Sequence, residues 1–232
     1  MGNMGNMEIV ENALSAGRST LTEYEAKQLL SGYGVPTTRE RLAGSAEEAA
    51  QAAEAIGFPV AVKGYGTGLL HKTEAGAVHL GVPDAQSVAG VYERMAKRIG
   101  SGLEGVVISE MISGSRELVM GLHREPGFGP CVMIGVGGVL TELINDTAFR
   151  VAPFDVSEAA DMARDLRAKA IFGAFRGEPA ADMDALSKSL AAIGEIGMNH
   201  PEISEIDVNP VIITPKGGIV AVDALVVLKG GE

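Results

Sequence analysis

Residues 203–213 read ISEIDVNPVII, and this run combines the pattern of a strand with the polar residues of a candidate site. Glu205, Asp207 and Asn209 alternate with isoleucine and valine. Alternation with a period of two is typical of a strand that has one face on a core and the other face open. The run therefore predicts a strand that carries two carboxylates and one amide on a single face.

A further carboxylate is predicted to meet this strand. Asp223 is the only charged residue in the apolar run IVAVDALVV of residues 219–227, and Lys216–Gly218 has the composition of a turn. A hairpin through that turn brings Asp223 beside Asn209. Paired oxygen ligands of this kind suit Mg²⁺, which completes its shell with phosphate and water. The alternative is an Asn that forms a turn before Pro210 and an Asp that is solvated at a sheet edge.

Upstream, residues 58–78 read FPVAVKGYGTGLLHKTEAGAV, a short apolar strand followed by a glycine-rich loop. Lys63 ends the strand, where it either meets an anion or reaches solvent. His71 in the loop can be a nucleophile, a general base or a polar loop residue. The loop differs from a Walker A motif because His71 replaces the second glycine and a strand-like segment follows.

The remaining patterns mix helices and strands. Capping residues predict helices that begin after Thr22 and after Ser45, while apolar runs predict strands around residues 106–110, 117–122 and 132–136. The fold class is therefore mixed α/β or α+β. Residues 1–20 show no sustained period, and we expect a flexible N-terminal tail there.

Composition excludes several classes of protein. The chain has 232 residues and a net charge of -11. Its hydrophobic content of 46% is typical of a globular chain that forms a core. The absence of a basic cluster argues against a nucleic-acid surface, and no apolar stretch has the length of a membrane span. Cys131, the only cysteine, cannot form an intramolecular disulfide. With no signal-peptide pattern either, we expect a cytoplasmic protein.

Three segments together resemble the ATP-grasp module of the NDP-forming acyl-CoA synthetases, which belong to the succinyl-CoA synthetase superfamily. They are residues 58–78, residues 203–213 and VVISEMISGSRELVMGLHREPGFGPCVMIGVGGVLTELINDTAFRVAP at residues 106–153. The similarity extends from about Leu21 to Leu228 and is strongest to the separate β subunits of the family. It implies an α+β ATP-grasp fold, with lobes at residues 21–105 and 106–232 that clamp a nucleotide.

The resemblance also implies roles for individual residues. It assigns Lys63 to the nucleotide phosphates, the backbone of Glu110 and Met111 to adenine, and Glu117 to the ribose. The remaining implied residues are Gly137, Gly138 and Arg150 on the phosphate side and Asn209 and Asp223 as ligands of Mg²⁺.

His71 matches a family histidine implicated in carrying phosphate from a partner's phosphohistidine to ADP, and Asp207 matches the acid that orients it. The implied reaction interconverts acyl-CoA, ADP and phosphate with free acid, ATP and CoA. It requires a CoA-binding α subunit, and we expect an α2β2 assembly. A stand-alone ATP-grasp carboxylate ligase and a non-catalytic nucleotide-binding regulatory module remain as alternative functions.

Overall fold

The computed structural model describes residues 2–66, 76–138 and 146–229. Its described elements in chain order are α1 (Gly2–Ser15), α2 (Glu23–Gly32), β1 (Glu40–Ala43), α3 (Ala46–Ile56), β2 (Val60–Tyr65), β3 (Val78–Val82), α4 (Ala85–Ile99), β4 (Gly105–Glu110), β5 (Arg116–Glu125), β6 (Gly129–Val136), β7 (Thr147–Val151), α5 (Val156–Asp165), α6 (Met183–Asn199), β8 (Ile203–Ile213), β9 (Ile219–Ala221) and β10 (Ala224–Leu228). The chain forms two compact units. Residues 38–111 make the small unit, and residues 1–37 with 112–232 make the large unit.

The small unit is an antiparallel sheet with the strand order β1-β4-β2-β3 and helices α3 and α4 on one face. The side chains of Ser45 and Asp84 cap these helices by accepting backbone N–H groups of the first turn. Apolar residues of the sheet and helices share one core, which includes Val60, Val62 and Ile108. Ala61 and Lys63 alternate with Val60 and Val62 along β2, so they lie on the opposite face of the strand.

The large unit contains an antiparallel sheet with the order β10-β8-β5-β6-β7, and β9 also pairs with β8. One face of this sheet packs on α2, α5 and α6 around a core that includes Met120, Ile134 and Ile206. The α2 helix begins with the predicted capping box, in which Thr22 and Glu25 exchange hydrogen bonds. The second face carries the alternate residues of each strand and is called the open face below.

The N-terminal segment is not the expected tail. Residues 2–15 form α1, and Val10 and Ala13 are fully buried in the core of the large unit. The sequence of α1, GNMGNMEIVENALS, shows no sustained apolar period, so the sequence pattern did not reveal this helix. Its burial comes from tertiary packing on α2.

The expected lobe boundaries at residues 21–105 and 106–232 were also wrong. Residues 21–37 belong to the large unit, because the Leu21 N–H donates to the Val226 carbonyl at 3.0 Å and Ala221 donates to Pro36 at 2.8 Å. Strand β4 belongs to the small unit, where it pairs with both β1 and β2. Long-range strand pairing, which no local pattern encodes, sets these boundaries.

No helix in the described part of the chain is long and apolar enough to cross a membrane.

Candidate functional site

Asn209 and Asp223 lie directly opposite each other in the large unit. The Asn209 N–H donates to the Asp223 carbonyl oxygen at 3.2 Å, between the β8–β10 and β8–β9 pairings. Asn209 is exposed and Asp223 is half-buried. The proposed hairpin partnership of these residues is therefore present in the structure. The turn at Lys216–Gly218 that creates it is closed by a Thr214 N–H to Gly218 carbonyl bond of 2.8 Å.

The Asn209–Asp223 pair offers oxygen ligands of the type that Mg²⁺ prefers. Asp223 Oδ1 also accepts the N–H of Ala224 at 2.8 Å, which fixes the orientation of the carboxylate. In the ranges that the structure describes, no three His, Cys, Asp or Glu side chains converge as a self-sufficient metal cage. An amide with one carboxylate fits a metal that takes its remaining ligands from phosphate oxygens and water.

Asp207 shares the open face with this pair, as the alternation predicted. Ile206 and Val208 are buried, whereas Asp207 is half-buried between Gly121 of β5 and Leu225 of β10. Burial and, to a smaller degree, the charge of Glu205 raise the pKa of the Asp207 carboxyl. A carboxyl held in this way is suited to exchange a hydrogen bond with a titratable partner.

Glu117, Gly137 and Gly138 form a second group in the large unit. The Gly137 N–H donates to the Glu117 carbonyl at 2.7 Å, and a Cβ on Gly137 would lie 3.0 Å from backbone atoms of Glu117 and Leu118. Gly138 has a φ of +93°, and Glu117 Oε2 is 3.7 Å from the position of a Cβ on it. The two glycines thus place the backbone at the end of β6 against the start of β5.

Lys63 lies on β2 in the small unit and is 8% exposed. Strand pairing opposes it to Val78 of β3 and Val107 of β4, on the face away from the Val60 and Val62 core. The sequence left open whether this cation reaches solvent, and burial decides against that alternative. A buried ammonium is stable only with compensating partners.

Glu110 and Met111 end the small unit, and the next residue, Ile112, begins the large unit. The Glu110 carboxylate accepts the backbone N–H and the Nε–H of Arg39, both at 2.8 Å. Met111 is 39% exposed. Strand β4 and the residue after it therefore end the small unit, and the Glu110 side chain is engaged with Arg39.

Arg150 lies on the other face of the large unit's sheet from Asp207 and Asn209. It pairs with buried Val132 in the β6–β7 register, so its side chain extends from the helix-covered face of the sheet. Its guanidinium binds Glu158, and it binds Asp165 at 2.6 Å, both on α5. Because these carboxylates neutralise the charge on the face opposite Asn209 and Asp207, the expected phosphate-side role of Arg150 is not supported. Local sequence could not indicate which face the residue would take.

His71 falls within residues 67–75, which lie outside the described residues. Its predicted relay role stays a prediction.

The sequence analysis missed a buried cation near Asp223. Lys27 on α2 is 2% exposed, and its Nζ donates to the carbonyl oxygen of Val222, next to Asp223. The signal was its helical spacing beside buried Ala26 and Leu30, which places a lysine on an apolar helix face.

The comparisons with known proteins agree with this architecture. Residues 12–228 match the family model described as an ATP-grasp domain. The chain belongs to the ATP-grasp family, and its sheets, helices and division into two units are those of that fold.

Within that family, the chain is similar to β-type chains of ADP-forming acetate–CoA ligases. It is 36% identical to the β subunit of acetate–CoA ligase [ADP-forming] II from Pyrococcus furiosus, over 97% of this chain and 98% of that protein. It is 35% identical to acetate–CoA ligase [ADP-forming] I of Archaeoglobus fulgidus, of which it covers 31%.

A solved structure of Ca. Korarchaeum cryptofilum acetyl-coenzyme A synthetase 1 matches with a TM-score of 0.85 and 37% identity, covering 97% of this chain and 100% of that chain. That complex holds coenzyme A and Mg-AMPPCP, and its phosphohistidine segment points towards the nucleotide-binding site.

Proposed function

We propose that this chain is the nucleotide-handling β subunit of an ADP-forming acyl-CoA ligase. Its reaction converts acyl-CoA, ADP and phosphate into free acid, ATP and CoA, and runs in both directions. The observation that carries the proposal is the cross-strand pair of Asn209 and Asp223 on the face that also bears Asp207. The family membership and the full-length similarity to separate β subunits support it.

Different residues of this chain bind the phosphates, the metal and the nucleoside. Lys63 binds the nucleotide phosphates, while Asn209 and Asp223 would hold Mg²⁺. The metal, when bound, supplies positive charge that stabilises the oxygens of the transferring phosphoryl group. The Glu117 side chain, next to Gly138, contacts the ribose, and the backbone of Glu110 and Met111 contacts adenine.

His71 is the proposed phosphate carrier. One of its ring nitrogens attacks the phosphorus of the partner's phosphohistidine, so that a new P–N bond forms as the old one breaks. An oxygen of the ADP β-phosphate then attacks the same phosphorus, the His71 P–N bond breaks, and ATP is formed. Asp207 accepts a hydrogen bond from the other ring nitrogen, which fixes the tautomer that can attack. The raised pKa of Asp207 makes this orientation dependent on pH.

The partner is a CoA-binding α subunit, and we expect an α2β2 assembly in the cytoplasm. The A. fulgidus relative supports the need for more protein, since this chain corresponds to 31% of that single polypeptide. Cys131, the sole cysteine, gives no reason to expect an oxidising compartment. We propose that the partner subunit selects the acyl group.

The test mixes the purified chain with Mg²⁺ and γ-labelled ATP. We expect the protein to acquire an acid-labile label. The label should be lost in His71→Ala and kept in the matched variant His79→Ala. Label that persists in His71→Ala contradicts the relay through this histidine.

A second measurement tests the subunit assignment itself. A CoA-binding chain should co-purify, and only the mixture should make ATP from acyl-CoA, ADP and phosphate. Turnover by the chain alone would favour the stand-alone ligase, and nucleotide binding without phosphorylation or partner-dependent turnover would favour the regulatory module.

A further inference from the structure

Lys27 occupies a position where a charged side chain is costly. It lies on α2 with 2% of its surface exposed, beside the buried residues Ala26 and Leu30. Removing an ammonium from water costs several kcal/mol unless hydrogen bonds and an opposite charge compensate. A methionine or leucine would fill the same space without that cost. The interactions of the ammonium group therefore need an explanation beyond packing.

The ammonium joins α2 to the chain segment between β9 and β10. Its Nζ donates to Glu23 Oε1 at 3.0 Å, one turn earlier on the helix, and to the Val222 carbonyl oxygen at 2.9 Å. The Glu23 carboxylate is itself 11% exposed, so most of the ion pair is removed from solvent. This burial strengthens the attraction between the two groups and fixes the direction of the lysine.

The segment bound by Lys27 is where the strand is interrupted. Strand β9 ends at Ala221 and β10 begins at Ala224, and Val222 and Asp223 lie between them. The Val222 N–H still donates to Pro210 at 3.0 Å, whereas the Val222 carbonyl accepts from the lysine side chain. The interruption is thus held by a side chain from a helix at the other end of the sequence.

Asp223 directly follows the carbonyl that Lys27 binds. Two further bonds involve this residue: its carbonyl accepts the Asn209 N–H at 3.2 Å, and its Oδ1 accepts the Ala224 N–H at 2.8 Å. Rotation of the Val222–Asp223 peptide would shift the backbone from which the Asp223 carboxylate projects. Lys27 restrains this rotation because its ammonium is anchored on α2 by Glu23.

We infer that Lys27 is a positioning residue for the metal-binding carboxylate of Asp223. The inference rests on the proposed function, since it assumes that Asn209 and Asp223 hold Mg²⁺ with the nucleotide. Lys27 acts in this role through the Val222 carbonyl oxygen that its ammonium group binds. Its effect is to fix the peptide from which the carboxylate projects, and removal of such supporting bonds typically costs about 10- to 100-fold in metal affinity.

The test is the Mg²⁺ dependence of ADP binding to the full-length chain, measured by calorimetry. In Lys27→Met, we expect the Mg²⁺ concentration for half-maximal enhancement of ADP binding to rise by about 10-fold or more. ADP binding without metal should remain at the wild-type level. The matched control is Lys188→Met, which removes an exposed lysine paired with Asp184 on α6 and should leave both quantities unchanged.

A double variant guards against misfolding. Glu23→Gln combined with Lys27→Met removes both charges of this ion pair and still removes the donor to Val222, so the same shift in Mg²⁺ dependence is expected. An unshifted Mg²⁺ dependence in this folded variant overturns the role of Lys27. If the wild-type chain shows no Mg²⁺-dependent ADP binding, the proposed function fails instead, and the two failures are distinguishable.

Discussion

The backbone N–H of Asn209 in β8 donates to the carbonyl oxygen of Asp223 at 3.2 Å, which holds Asn209 beside the segment that joins β9 to β10. Neither residue alone is a metal site, because Mg²⁺ requires oxygen ligands that converge. Their pairing depends on β8 being shared by β9 and β10, with Asp223 at the point where the partner strand changes.

Asp223→Asn should weaken Mg²⁺-dependent ADP binding by at least about tenfold, equivalent to about 1.4 kcal/mol, because a neutral amide binds Mg²⁺ less strongly than a carboxylate. Calorimetry with and without Mg²⁺ checks this expectation. The matched control is Asp161→Asn, which changes an exposed carboxylate of α5 that is paired with Arg164. Equal losses in the two variants would argue against a metal site at Asp223.

Asp207→Asn should reduce partner-dependent ATP synthesis while raising stability at neutral pH. The folded-state pKa of Asp207 is raised above its ordinary 3.8, so ionisation costs more in the folded than in the unfolded chain. The wild-type protein therefore loses stability as the pH rises through the raised pKa. Urea denaturation at a series of pH values should show that the variant's extra free energy of unfolding decreases as the pH falls toward 3.8. A pH-independent difference would contradict this prediction.

Lys63→Met should weaken ADP binding by about tenfold and leave adenosine binding unchanged, because the lost interaction is with phosphate. Competition binding with both ligands separates these outcomes. Lys97→Met, an exposed lysine in the last turn of α4, is the matched control. A parallel loss of adenosine binding would show that the variant damages the small unit rather than a phosphate contact.

Arg150→Met should lower stability and leave ADP affinity intact. The ion pairs with Glu158 and Asp165 are partly exposed, so their loss costs up to about 1 kcal/mol and less at high salt. Urea denaturation at low and high salt measures the change in stability, and ADP titration measures the affinity. Loss of ADP affinity without loss of stability would restore the phosphate-side role expected from the sequence.

Tyr33→Phe should cost about 1 kcal/mol in the free energy of unfolding, because it removes one partner of a buried histidine. The Tyr33 hydroxyl and His200 Nε2 are 2.9 Å apart, and His200 Nδ1 lies 3.2 Å from Glu202. His200 is 2% exposed, so the variant takes a hydrogen bond from a buried ring. Denaturation measures the cost, and an unchanged midpoint would contradict it. ADP affinity should stay at the wild-type level, since neither Tyr33 nor His200 is among the proposed nucleotide or metal contacts.

The sequence by itself determined the local chemistry of this protein. The period of two in residues 203–213 was sufficient to place Asp207 and Asn209 on one face, and the Lys216–Gly218 turn was sufficient to bring Asp223 to Asn209. The Thr22 capping box likewise predicted the start of α2. These features depend on contacts between near neighbours or on a single hairpin, which residue patterns encode directly.

Only the tertiary structure decided the long-range relationships. Residues 21–37 joined the large unit through bonds to Val226 and Ala221, and Arg150 took the helix-covered face because of its register with Val132. The link from Lys27 to Val222 spans almost the whole chain. Such contacts depend on which strands and helices meet, and this choice is made by burial of the complete core rather than by any local run of residues.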